Sequence, residues 1–127
     1  MEPFIRKANP ETPGIILDKD NNKFEMKGKS FPEEARLYYQ PMIDWLKEYT
    51  KDPNDKTTFV INMEYYNTAS SKMILEILKV LKDLHKKGKQ VEIHWLYPED
   101  DEDMLEAGED YEEILKIPFN YVVIDEE

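Results

Sequence analysis

Cysteine is absent from the 127 residues, which excludes disulfide bonds, thiol nucleophiles and cysteine metal sites. Long apolar runs are absent too: no stretch reaches the roughly 20 residues needed to cross a bilayer, and residues 1–8 lack the apolar core of a signal peptide. The sequence contains no phosphate-binding glycine loop, dinucleotide fingerprint, nucleophile elbow or metal motif. We therefore expect a cytoplasmic protein that is not an enzyme and needs no cofactor.

Basic residues are missing from the most acidic part of the chain. Residues 99–113 hold ten of the 28 acidic residues and no lysine or arginine, so the remaining 18 nearly balance the 17 basic ones. The net charge of −11 therefore arises almost entirely from one local acidic patch. It disfavours nucleic acid and membrane partners and favours a basic protein surface. The run lacks the ligand spacing of a calcium loop, so a carboxylate-based metal-binding protein or hydrolase is an alternative only.

The hydrophobic pattern predicts one domain, residues 1–127, with elements in the order β-β-β-α-β-α-β-α-β. Strands are predicted at 4–5, 14–17, 23–27, 57–66, 90–97 and 119–124, and polar–apolar alternation supports those at 23–27, 57–66 and 90–97. Helices are predicted at 30–50, at 70–87 and in the acidic segment, whose apolar stripe is Met104, Leu105, Gly108, Tyr111 and Leu115. We expect an α/β fold: a mixed sheet of about five or six strands, with helices mainly on one face and the other face partly open.

The first helix and the fourth strand carry more specific expectations. Residues 30–33 match a capping box, which predicts Ser30 at the helix N-terminus. Pro41 predicts either a new helix starting near it or a kinked helix. Helical spacing places Leu37 on the apolar face of this helix. Alternation places Tyr65 on the apolar side of the fourth strand.

Small polar residues occupy the joint between the fourth strand and the second helix. Asn67 or Thr68 is expected to cap the helix, because Asn, Ser and Thr lead the N-cap preferences. The same place suits reversible phosphorylation, since a helix N-terminus tolerates added negative charge. Thr68 is the predicted acceptor, with Ser70 and Ser71 as rivals. We expect the fold to survive modification while the docking of a partner changes.

Two segments carry a family resemblance: YYNTASSKM, which contains Thr68, and DEDMLEAGEDY, which contains Tyr111. Through them the chain resembles the SiaC family of bacterial regulatory phosphoproteins over nearly its whole length. The resemblance implies a fold similar to the STAS domains of anti-anti-sigma factors. That fold agrees with the element order expected from the hydrophobic pattern.

The resemblance also implies a switch at Thr68. A partner kinase would phosphorylate it and a PP2C-type phosphatase would remove the phosphate. The unmodified form would bind and activate a diguanylate cyclase, raising cyclic di-GMP and favouring biofilm formation and aggregation. Ala69 stands where many relatives carry Ser or Thr, so one spare acceptor is missing. An anti-anti-sigma-type antagonist of a sigma-regulating kinase is an alternative with the same fold and switch.

The predicted partner surface combines the modified edge with flanking aromatic and acidic residues. Its edge comprises Asn67, Thr68, Ser70, Ser71 and Lys72. Its flanks comprise Tyr65, Tyr66, Glu102, Glu106 and Glu109. No metal site is expected on this surface.

Overall fold

The computed structural model describes residues 1–124, which form a six-stranded sheet and three helices. The strands are β1 (Phe4–Arg6), β2 (Gly14–Asp18), β3 (Lys23–Ser30), β4 (Lys56–Tyr66), β5 (Gln90–Pro98) and β6 (Phe119–Ile124). The helices are α1 (Ala35–Tyr49), α2 (Thr68–Lys86) and α3 (Glu102–Leu115). The predicted order of elements and the bounds of the last strand are confirmed.

The sheet is mixed, and its strands lie side by side in sequence order. β1, β2 and β3 are antiparallel neighbours, whereas β3, β4, β5 and β6 are parallel. The carboxyl ends of these four parallel strands therefore meet at one edge, called here the C-edge. α2 begins there directly after β4, and α3 begins shortly after β5. Functional groups of open α/β sheets gather at this kind of edge.

One hydrophobic core lies between the sheet and the helices. β4 shows how it arises, because every second residue faces the helices. The buried positions are Thr57, Phe59, Ile61 and Met63, and the half-buried positions between them are Thr58, Val60 and Asn62. In the part of the chain that the structure describes, no helix covers the second face. The expected one-sided arrangement is confirmed.

The capping-box prediction at Ser30 is wrong. Ser30 is the last residue of β3, pairs with Tyr66 and is fully buried. α1 begins only at Ala35, and the side chain of its N-cap residue, Glu34, makes no capping hydrogen bond. The Ser30 hydroxyl contacts the hydroxyls of Tyr39 and Ser70 instead. Tertiary hydrogen bonds in the core have replaced the local cap that the sequence pattern offered.

Pro41 lies inside one continuous helix, α1, so the prediction of a new helix at Pro41 is wrong. A proline at this position removes one backbone hydrogen bond to the residue four positions earlier, which is Leu37. Leu37 is 71% exposed, so the prediction that it joins the apolar face is also wrong. The carbonyl that loses its partner therefore belongs to a solvent-facing residue, where water can hydrate it.

A β-bulge in β4 changes which tyrosine faces the helices. Gly28 pairs with Met63 but Lys29 pairs with Tyr65, so Glu64 is an extra residue without a partner. A bulge of this kind shifts the alternation of side chains by one position. Tyr66 consequently turns toward the helices and is partly buried there, while Tyr65 is 53% exposed. The prediction that Tyr65 lies on the apolar side is wrong for this reason.

The second and third helices lie close to their predicted positions. α2 starts two residues earlier than predicted and ends as expected next to Gly88, which has a positive φ of 91°. In α3 the buried residues are Met104, Gly108, Tyr111 and Leu115, so most of the predicted stripe is confirmed. Among residues 1–124, none of the helices is long and apolar enough to span a membrane.

Candidate functional site

Asn67 caps α2 and leaves Thr68 free. The Asn67 backbone is extended, and its Oδ1 accepts a hydrogen bond from the backbone N–H of Ser70 at 2.9 Å. Of the two candidates for the cap, the structure selects Asn67. Thr68 becomes the first helical residue and is exposed, and within residues 1–124 no protein group hydrogen-bonds its hydroxyl. A hydroxyl in this position is available to another protein.

The surroundings of Thr68 favour added negative charge. The first backbone N–H groups of a helix have no partner inside the helix, and the helix dipole stabilises an anion there by about 0.3–1 kcal/mol. Lys72 is exposed and lies four residues later, on the same side of α2. A phosphate on Thr68 would therefore meet free N–H donors and one cation without disturbing the core.

Ser70 does not belong to the exposed edge. It is fully buried, and its hydroxyl accepts a hydrogen bond from Ser30 Oγ at 2.7 Å. Ser30 Oγ lies 2.6 Å from the hydroxyl of Tyr39, which completes a buried chain of three hydroxyls. This corrects the prediction that Ser70 is a partner contact and a rival acceptor. It is a structural residue that ties the start of α2 to β3 and α1.

Ser71 is half-buried and is already used inside the protein. Its Oγ lies 3.0 Å from the hydroxyl of Tyr111, and that hydroxyl donates to the backbone carbonyl of Ser71 at 2.9 Å. Modification of Ser71 would break this link between α2 and α3. Thr68 is therefore the one hydroxyl of the joint that is both exposed and without a protein partner in the described chain.

Two aromatic side chains lie beside the joint in different environments. Tyr65 is exposed and packs edge-on against Phe31, with ring centroids 6.1 Å apart. Tyr66 is partly buried near Tyr111, and its pKa is raised by burial, by Tyr111 and by the carboxylate of Asp110. The solvent-facing aromatic contacts of the joint are thus Tyr65 and Phe31, which is 39% exposed.

The three acidic residues predicted as flanking partner contacts are exposed to solvent, and their contact with a partner stays a prediction. Glu102, Glu106 and Glu109 are exposed on the outer face of α3, and in the described chain no hydrogen bond or ion pair joins them to the joint. The residue of α3 that hydrogen-bonds the joint is Tyr111, through Ser71. The apolar stripe signalled Tyr111 as a core residue, but nothing in the sequence signalled its hydrogen bonds to Ser71.

The carboxylates do not assemble into a metal centre in the part of the chain that the structure describes. Within residues 1–124 no group of three or more His, Asp or Glu side chains could hold an ion. Two of the carboxylates have structural partners: Asp101 accepts from the N–H of Met104 as the N-cap of α3, and Glu112 accepts from the Tyr121 hydroxyl. Together with the absence of a ligand cluster in the described chain, the capping role of Asp101 disfavours the metal-binding alternative for residues 99–110.

A cavity of about 1140 Å³ lies on the helix-free face near the C-edge. Its charged lining is mixed, and Thr68 is not part of it. The charged lining residues are Arg6, Lys7, Glu25, Lys27, Glu64 and Asp101. Cations and anions balance there, so the lining favours no ligand of one charge.

Buried phenols predict a loss of stability at alkaline pH. Burial raises the pKa of Tyr39, Tyr66 and Tyr111 in the folded protein, whereas an unfolded tyrosine ionises near pH ~10. The stabilisation is therefore complete below about pH 10 and is lost as the pH rises above it, by up to about 1.4 kcal/mol per pH unit for each phenol.

Urea unfolding at about pH 8 and about pH 11 measures this loss. Tyr39→Phe, which removes a fully buried phenol, should make the alkaline loss smaller. Tyr65→Phe removes an exposed phenol and is the control, so it should leave the loss unchanged. Equal alkaline losses in wild type and Tyr39→Phe would contradict the explanation.

The chain is similar to known proteins over nearly its whole length. The family described as SiaC family regulatory phosphoprotein matches residues 6–124. An uncharacterised protein of Pseudomonas aeruginosa is 30% identical over 115 residues, which cover 91% of each chain. The crystal structure of apo-SiaC from Pseudomonas aeruginosa has a TM-score of 0.88 and 27% identity, and the match covers 97% of this chain and 100% of that one. In the crystal structure of the diguanylate cyclase SiaD with its activator SiaC, from the same organism, the matching chain has a TM-score of 0.89 and 26% identity, with 95% and 99% covered.

Proposed function

The chain belongs to the SiaC family of regulatory phosphoproteins, and on that premise we propose that it is a non-enzymatic adaptor that activates a diguanylate cyclase. In the proposed cycle a partner kinase phosphorylates Thr68 and a PP2C-type phosphatase removes the phosphate. Only the unmodified form binds the cyclase, which raises cyclic di-GMP and favours biofilm formation and aggregation.

The observation that carries the proposal is the free hydroxyl of Thr68. Asn67 supplies the cap of α2, so the Thr68 hydroxyl has no structural task in the described chain. Kinase and phosphatase both need access to this atom, and Thr68 is exposed. The neighbouring hydroxyls of Ser70 and Ser71 are engaged inside the protein, which supports a single acceptor.

Phosphate would act on docking and leave folding intact. It adds about −1.5 to −2 charges at pH 7. Next to the N-terminus of α2 this charge is compatible with the folded chain. In an interface, an unpaired dianion that loses its water costs at least about 2–5 kcal/mol. The same modification is therefore tolerated by the free protein and opposed by the complex.

A diguanylate cyclase is the proposed effector because a relative with the same fold was crystallised with one. That relative, SiaC of Pseudomonas aeruginosa, is described as the activator of the cyclase SiaD. The exposed pair Tyr65 and Phe31 beside Thr68 supplies apolar contact area of the kind found at interface centres. We propose that these residues, with Lys72, contact the cyclase.

Cyclic di-GMP synthesis from GTP by the cyclase of the same organism tests the proposal. The unmodified protein should raise the rate and the Thr68-phosphorylated protein should not. Thr68→Ala should activate like the wild type and should no longer respond to the kinase. The matched control, Ser71→Ala, should activate the cyclase and should still be inactivated by the kinase.

Two results would contradict the proposal. If the kinase still inactivated Thr68→Ala, the functional phosphate would lie on another residue. If the unmodified protein left the cyclase rate unchanged but bound a sigma-regulating kinase, the effector would belong to a different pathway.

A further inference from the structure

The outer edge of β6 has no partner strand in the described chain. β6 is the last strand of the sheet and pairs only with β5, in parallel and without a register shift. About half of the backbone N–H and C=O groups of an edge strand point away from the sheet. Val122 and Val123 are 39% and 49% exposed on this strand. The edge therefore combines free hydrogen-bonding groups with exposed apolar side chains.

β6 lacks the protection that edge strands usually carry. Proteins protect such edges with proline, lysine, bulges or very short strands. β6 has six residues, FNYVVI, with no proline, no lysine and no bulge. The opposite edge of the sheet is different, because β1 has three residues and includes Arg6. An unprotected edge of this kind is the template onto which another strand can add.

Negative charge lies along the β6 edge. Glu112 of α3 accepts hydrogen bonds from the Phe119 N–H and the Tyr121 hydroxyl. Glu109 lies three residues before Glu112 in α3, so the two carboxylates share the side of the helix next to β6. Burial and Glu112 raise the pKa of Tyr121, and Glu109 adds to the rise. A strand that adds here would meet carboxylates.

The same charge opposes pairing between two copies of this chain. Edge-to-edge pairing through β6 would place two α3 helices near each other, each with seven acidic residues. Like charges in such an arrangement repel, and charge next to an edge is a known way of preventing self-association. The β6 edge therefore disfavours pairing with a second copy of this chain and favours pairing with a positively charged strand.

We propose that the outer edge of β6 is a second docking site, which accepts an extended, lysine- or arginine-rich segment of a partner protein as a seventh strand. The backbone of the edge supplies the hydrogen bonds, Val122 contacts apolar side chains of the segment on the helix-free face, and Glu109 attracts its cations on the helix side. This site does not depend on the proposed switch at Thr68, which lies at the joint between β4 and α2.

Binding of a short peptide of alternating lysine and valine to the full chain tests the proposal. With the peptide at about ten times its Kd, hydrogen exchange of the outward-facing amides of β6 should slow by about tenfold, since only the free fraction exchanges. Binding should weaken as salt rises. A peptide with glutamate in place of lysine should not protect the β6 amides. A peptide whose alternate backbone amides are methylated should not protect them either.

Matched variants separate this site from general attraction to an acidic protein. Glu109→Lys should weaken peptide binding, whereas Glu48→Lys, an exposed charge change on α1, should not. Absence of binding, binding without protection of β6 amides, or equal binding of the glutamate peptide would overturn the proposal. Dimerisation of the chain through β6 would overturn it as well.

Discussion

Phosphorylation of Thr68 is expected to weaken binding of the effector by at least about thirtyfold and to leave the melting temperature almost unchanged. The first expectation, the thirtyfold loss of binding, corresponds to the lower end of a cost of about 2–5 kcal/mol for an unpaired charge in an interface. The second follows because Thr68 is exposed at the N-terminus of α2, where added negative charge is tolerated. Calorimetric titration and thermal unfolding of the two forms measure both quantities.

Thr50→Asp is the matched control for the charge at Thr68. Thr50 is the C-cap of α1 and lies at the end of the sheet opposite the C-edge. At the C-terminus of a helix the helix dipole disfavours an anion. Thr50→Asp should therefore lower stability by about 0.3–1 kcal/mol and leave effector binding unchanged. Thr68→Asp should show the reverse pattern, with weaker binding and unchanged stability. A large fall in the melting temperature of the Thr68-phosphorylated protein with binding intact would contradict a docking switch.

Gly108→Ala is expected to destabilise the protein by up to about 2 kcal/mol. A Cβ at Gly108 would lie 2.7 Å from two ring atoms of Trp95, whose side chain is fully buried. The indole cannot move freely, because its N–H donates to the carbonyl of Met104 at 2.8 Å. Overpacking costs about 1–3 kcal/mol, against a gain of about 1 kcal/mol in helix propensity. We expect a net loss in urea unfolding and displacement of α3.

Gly14→Ala is the control for the added methyl group. A Cβ at Gly14 would make only ordinary contacts, the nearest at 3.5 Å, and its backbone lies in β2. This change should leave the free energy of unfolding within about 0.5 kcal/mol of the wild type. If Gly108→Ala were equally harmless, the close approach of α3 to Trp95 would not be required for the fold.

Much of the framework could be predicted from local pattern. The alternation in β4 and β5 and the helical spacing in α2 are strong signals, since both elements bury one face against the same core. Small polar residues after β4 also located the joint and its cap within one residue. Thr68 could be proposed as the acceptor because helix N-termini have known chemistry.

The errors at Ser30 and Tyr65 share a cause, which is contact between residues far apart in sequence. Ser30 looks like a cap from its neighbours, but its hydroxyl is held by Tyr39 and Ser70, the latter 40 residues away. The bulge at Glu64 depends on the register between β3 and β4 and has no local sequence signal. For the same reason the exposure of Tyr65 could not be obtained from alternation alone.

The acidic segment shows how far the candidate site could be predicted from the sequence. Its charge is obvious in the sequence, yet the residue of α3 that hydrogen-bonds the joint is the uncharged Tyr111, through Ser71. Choosing among the acidic residues requires the orientation of α3. Gly108 packs directly against Trp95, a contact that the pattern of charges along the segment does not reveal.

The most direct test of the switch is the position of phosphate in protein isolated from its native cells. Mass-spectrometric mapping of the peptide that contains residues 67–72 should find phosphate on the only hydroxyl of that stretch left free by the fold, at Thr68. Phosphate on Ser70 or Ser71 instead, or an unmodified peptide under every growth condition, would contradict the account.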